Sequence, residues 1–132
     1  MHLFVDTSAL YALLDADDAH HLEAEAWFAG WTARIGETLL THNYVVVEIA
    51  ALVQRRLGQA ATRALFEDLV PVVSVVYVDE PMHHLAESAY LTVPAGPSFV
   101  DCVSFQVMRA RGLREAFAFD DHFTKQGLQT LP

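Results

Sequence analysis

Four carboxylates, Asp6, Glu48, Asp101 and Asp120, are the side chains of this 132-residue chain best suited to chemistry. Each stands where folding alone gives an acid little reason to be. Asp6 closes the apolar run from His2 to Val5, and Asp120 closes the run over 116–119. Glu48 has Tyr44, Val45, Ala51 and Leu52 at its i±3 and i±4 positions, so on a helix it projects from an apolar face. A buried charge is costly unless it is paired or bound to a metal. Asp101 lies one turn into a helical segment, between Val100 and Cys102. Mg2+ and Mn2+ prefer oxygen ligands. Carboxylates on different elements can hold one such ion, or two about 4 Å apart, and so stabilise the attacking and leaving oxygens of a phosphoryl displacement. A bound metal also acidifies water, so this chemistry needs no serine or cysteine nucleophile.

What carries these acids follows from periodicity and punctuation. Residues 2–5 read as a buried strand and 7–14 as a short helix. A polar break, Asp15-Ala-Asp-Asp18, precedes a helix over 20–34 with Trp27 and Trp31 on one face. Residues 37–41 are a second strand. Val45-Val46-Val47 favours a strand locally. Ile49, Leu52 and Val53 nevertheless extend the pattern as a helix over 43–57, and Arg55-Arg56-Leu57-Gly58 is a helix stop. Apolar nearly all round, this helix is expected to be buried. Residues 59–69 and 81–91 read as helices, and the β-branched 72–78 as a third strand. Pro94-Ala-Gly-Pro97 is a loop. A helix over 98–111 closes at Gly112, 116–119 is a fourth strand, 120–123 opens a helical turn, and 128–131 is a candidate last strand. Such alternation implies an α/β fold, a parallel sheet with helices on both faces. Ligands bind outside the carboxyl ends of such strands, where Asp6 and Asp120 fall.

Structural uses compete for each acid. Asp6 before Thr7-Ser8-Ala9 suits a helix N-cap. Ser98-Phe-Val-Asp101 resembles a capping box with Asp in place of Glu. Asp120 or Asp121 can cap the final turn. Glu48 has only Arg55 or Arg109 as a prospective partner. The run Asp15 to His21 looks like a metal loop but fails as an EF-hand, with His20 at the sixth position and Ala26 at the twelfth. A solvated helix start is its default reading. His83 and His84 are adjacent and read as surface residues. Arg55, Arg56 and Arg63, with Arg109, Arg111 and Arg114, are candidates for gripping an RNA backbone, or for serving helix C-termini. Tyr11, Trp27, Phe28 and Trp31 suit either a core or a partner surface.

Composition sets the outer bounds. With 53% hydrophobic and 19% charged residues, the chain reads as one globular domain over 1–132. It shows no signal-peptide pattern and no apolar run near the roughly 20 residues that span a bilayer. A lone cysteine, Cys102, permits neither an internal disulfide nor a cysteine-based zinc site. These features predict a cytoplasmic protein without a membrane partner. The net charge of −9 argues against a nucleic-acid partner. Two bound Mg2+ would bring it to about −5 and invert the sign locally.

Val5-Asp6-Thr7-Ser8-Ala9-Leu10, Tyr44 to Glu48, Ser98 to Cys102 and Phe119 to Phe123, in that order, resemble the successive acidic motifs of PIN-domain proteins. The spacing resembles that of the small toxins of VapC type, from about residue 3 to about residue 128. The resemblance implies a three-layer α/β/α fold around a central, mostly parallel sheet of four or five short strands. It implies a Mg2+- or Mn2+-dependent endoribonuclease that leaves 5′-phosphate and 3′-hydroxyl ends, a VapB-type antitoxin whose tail blocks the site, and a homodimer. Asp6, Glu48, Asp101 and Asp120 carry over as the catalytic metal ligands, for one or two ions. Thr7 and Ser8 match the hydroxyls after the first acid, and Asp121 is at most an auxiliary. Ala118 departs from the pattern, which often has Thr, Ser or Asn two residues before its last acid. Rival readings are a phosphatase with Asp6 as nucleophile, which would want an acid where Ser8 stands, and a non-catalytic or receiver-like module.

Overall fold

The computed structural model describes residues 2–132. Strands β1 (His2–Val5), β2 (Thr38–His42), β3 (Val73–Val76), β4 (Glu115–Phe117) and β5 (Gln129–Leu131) form one sheet in the order β3-β2-β1-β4-β5. Every pairing is parallel, so the expected mostly parallel sheet is parallel throughout. Helices α1 (Thr7–Leu14), α2 (His21–Thr32), α3 (Asn43–Arg56), α4 (Gln59–Ala64), α5 (Glu80–Thr92), α6 (Phe99–Ala110) and α7 (His122–Lys125) flank it. The chain builds outward from β1 to β3, then returns to place β4 on the other side of β1. That reversal between β1 and β4 makes a topological switch point, where ligand sites form in open sheets.

Burial follows the strands. Phe4, Val5, Leu39, Leu40, Ala116 and Phe117 are all buried, as expected of parallel strands covered on both faces. Against them pack Val45, Ile49 and Val53 of α3 and Val103, Val107 and Met108 of α6. The expectation that α3 is buried all round fails: Val47 is 67% exposed. One stripe suffices to fill the core, and the remaining β-branched residues face outward. The helix expected over 59–69 keeps α geometry only to Ala64. It widens into a π turn, Leu65–Leu69, and ends in a 3-10 turn, Val70–Val72, where Pro71 offers no N–H to continue it. Strand β4 stops at Phe117 instead of residue 119, because the Phe119 N–H leaves the sheet to bond Ser8 Oγ at 3.0 Å. Among the described residues no helix is long and apolar enough to cross a membrane.

Candidate metal centre

Asp6, Glu48, Asp101 and Asp120 all line one cleft of about 320 Å³ at the carboxyl edge of the sheet. Asp6 is the first residue after β1, and its N–H extends the ladder to Phe117 O at 3.0 Å. Its side chain then caps α1. Oδ2 accepts the Ser8 N–H at 3.2 Å and the Ser8 hydroxyl at 2.6 Å. Ser8 Oγ in turn accepts the Phe119 N–H, so one hydroxyl ties the first acid to the segment leading to the last. Asp6 is only 3% exposed. Burial pushes its pKa up to about 7; the bonds from Ser8 oppose the shift, and the neighbouring Asp101 and Asp120 add to it. An opposite charge in the cleft would relieve both burdens.

Asp101 caps α6 and lines the cleft at once. Ser98 Oγ accepts the Asp101 N–H, and Asp101 Oδ2 accepts the Ser98 N–H, both at 3.0 Å. The capping box is therefore real, and it still leaves Oδ1 free of any hydrogen bond among the described residues. Asp120 sits three residues beyond β4, and its Oδ1 accepts the His122 N–H at 2.8 Å. The ring of His122 joins the two acids: Nδ1 lies 3.0 Å from Asp101 Oδ2 and 2.8 Å from Asp120 Oδ1. One ligand atom from each of Asp101, Asp120 and His122 falls within a 4.8 Å cluster. The sequence reading gave His122 no role, although it stands two residues after Asp120 in the last acidic motif.

Glu48 corrects another expectation. It is half-buried at the cleft rim and not sunk in an apolar face, because Tyr44 and Leu52 are themselves half-buried and Ala51 is exposed. No hydrogen bond or ion pair reaches it among the described residues, and Arg109 turns instead to Gln126 Oε1 at 3.0 Å. Asp121 faces away and pairs with Lys125 at 3.1 Å. Asp15 and Asp18 each use one carboxylate oxygen, Oδ1, to accept an N–H within their own turn, from Asp17 and His20. His83 is more than a surface residue, since its Nδ1 meets the Tyr44 hydroxyl at 2.6 Å and its ring packs on Phe99. Arg114 directly precedes β4 and so lies at the amino edge of the sheet, opposite the acids. Arg56, at the end of α3, lies over the ring of Tyr11.

The donor set suits a hard divalent cation. It is built from carboxylate oxygens, with one imidazole bridging two of them. Among the described residues Asp6 is buried without a cationic partner. Thr7 Oγ1, on the same wall, is buried without a hydrogen-bond partner among the described residues.

Residues 3–127 match the PIN-domain family. The chain is 35% identical over 129 residues, 95% of its length and 94% of the relative's, to the 23S rRNA-specific endonuclease VapC20 of Mycobacterium tuberculosis. The crystal structure of that sarcin-ricin loop cleaving toxin superposes with a TM-score of 0.85 at 34% identity, covering 96% of this chain and 95% of that one. FitAcB from Neisseria gonorrhoeae shares the fold at 15% identity, with a TM-score of 0.71 over 100% of this chain and 97% of that one. DNA-bound VapBC from Salmonella typhimurium does so at 18% identity, with a TM-score of 0.66 over 99% and 98%.

Proposed function

The chain belongs to the PIN-domain family and is an endoribonuclease of the VapC toxin type; we propose that its substrate is ribosomal RNA and that Asp6, Glu48, Asp101 and Asp120 hold the divalent cation it needs. The observation that carries this reading is the convergence of four carboxylates from distant parts of the chain on one cleft, with Asp6 buried. Mg2+ or Mn2+ bound there would acidify a water and offset the charge of the phosphodiester. The protein's own contribution is placement. Ser8 fixes Asp6, the capping box fixes Asp101, and His122 orients Asp101 and Asp120 together. Glu48 reaches the rim unpaired, ready to accept charge. Similarity to a 23S rRNA-specific enzyme over nearly the whole chain supports the substrate class.

The same reading takes residues 1–132 as one cytoplasmic nuclease unit. It pairs as a homodimer and is silenced by a VapB-type antitoxin. Exposed Leu22, Val47, Leu85 and Leu91 supply apolar surface for such partners. The deciding experiment incubates the protein with total RNA in Mg2+, Mn2+ or EDTA and maps the cut ends. Discrete cuts in ribosomal RNA that need metal and leave 5′-phosphates are expected. A broad RNA pool left intact in both metals would overturn the reading.

A further inference from the structure

Beside the acid cleft lies a second one of about 270 Å³. The two share Thr7, Ser8 and Asp120. The second cleft adds Tyr11, Asp18, His20, Leu52 and Phe119. The exposed ring of His20 lies flat on Phe119, with centroids 4.4 Å apart and planes 12° from parallel. This pair is held in register with the acids, because the Phe119 N–H bonds the same Ser8 hydroxyl that fixes Asp6. Asp18 uses Oδ1 to accept the His20 N–H at 2.8 Å, and its Oδ2 has no hydrogen bond among the described residues. Thr7, 7% exposed and with its hydroxyl unpartnered among the described residues, stands on the wall between the two clefts.

We propose that this second cleft receives one nucleobase of the RNA next to the scissile phosphate, stacked on the His20–Phe119 pair with its edge read by Asp18. The proposal rests on the endoribonuclease reading and adds to it the means of choosing a nucleotide. Unstacked RNA bases are held on aromatic faces, and histidine and phenylalanine both serve. A carboxylate repels phosphate but accepts hydrogen bonds from exocyclic amino groups. The occupant is therefore a base, and adenine, cytosine or guanine is favoured over uracil. Thr7, its hydroxyl buried, lines both clefts and so forms the wall that the sugar would cross to reach the acids. Arg56, 5.5 Å from the Tyr11 centroid, supplies a cation for the strand beyond. Stacking also suits a chain of net charge −9, which has few cations to spend on the backbone.

The test uses an RNA oligonucleotide spanning the mapped cut, with each nucleotide flanking the scissile phosphate made abasic in turn. Cleavage efficiency is measured with Mg2+. At one flanking position the wild-type enzyme should lose about 5- to 150-fold, the range of one base stack. His20→Ala should lose that dependence, and His20→Phe, which keeps a flat ring, should retain it. Asp18→Asn should improve cleavage with uridine at that position relative to the other bases. Equal abasic penalties in wild type and His20→Ala at every position would overturn the subsite while leaving the nuclease intact. A His20→Ala defect confined to antitoxin binding would overturn it too, making the cleft a protein-docking surface. Absence of any metal-dependent cleavage by the wild type would sink the endoribonuclease reading and the subsite with it.

Discussion

Asp6 and Asp101 each do two jobs with one carboxylate, because a carboxylate has two oxygens and a helix cap occupies only one. Capping and metal binding compete in the sequence but not in the molecule. Both side chains line the same cleft, and Asp6 bears the cost of burial, to which Asp101 and Asp120 add, as a pKa raised to about 7. Asp6→Asn should therefore abolish metal-dependent cleavage while raising the melting temperature of the metal-free protein at pH 8. A fall in that temperature would show that the buried charge is already compensated. His122 is the residue the sequence hides. A lone histidine carries no periodic signal, and only the turn that Asp120 makes with the His122 N–H aims its ring at Asp101. Replacing it with alanine should weaken Mn2+ binding about 10- to 100-fold, the usual effect of removing a group that orients ligands. Titration calorimetry of His122→Ala against wild type measures this directly.

Helices α3 and α6 must keep a fixed spacing, since one carries Glu48 and the other Asp101. A buried chain of hydrogen bonds links them. The Val45 N–H can only donate, so His42 Nδ1 accepts it at 3.3 Å and the imidazole proton sits on Nε2. That Nε2–H donates to Ser104 Oγ at 2.8 Å, and the Ser104 hydroxyl donates to Val100 O at 3.0 Å. Ser104→Ala strands a buried N–H, which costs about 1–3 kcal/mol. A lowered urea midpoint together with slower cleavage is expected, and an unchanged midpoint would refute the link. This tie was not legible beforehand, because histidine is not among the preferred capping residues and its partner lies on another helix. The strands were legible, since alternation of short apolar runs with capped helices leaves few arrangements. Strand β4 was read too long because the pull of Ser8 on the Phe119 backbone is a tertiary effect.

Two buried groups pull the stability of the molecule in opposite directions as pH changes. Burial pulls His42 down to about 4 from 6.5, so its contribution is present above pH 6.5 and is lost as pH falls through 4. Burial raises Asp6 from 3.8 to about 7, so its contribution is present below pH 3.8 and is lost as pH rises through 7. Across pH 4.5 to 6.5 the two slopes, up to about 1.4 kcal/mol per unit each, nearly cancel in metal-free protein. Asp6→Asn removes one of them, so in EDTA its stability should climb by about 2–3 kcal/mol over that range while the wild type stays nearly flat. Parallel curves for the two proteins would show that Asp6 does not titrate there. The sheet has a consequence of another kind. Phe4 pairs with Ala116, and Asp6 completes its ladder on Phe117, so the first strand waits for almost the last. A ribosome adding roughly 5 to 20 residues per second needs on the order of 5 to 20 s between them. During that interval Glu48 and then Asp101 are added, and they have no Asp120 to join. A chain proposed to cut ribosomal RNA thus lacks a complete set of acids on the ribosome that is making it until Asp120 has been added.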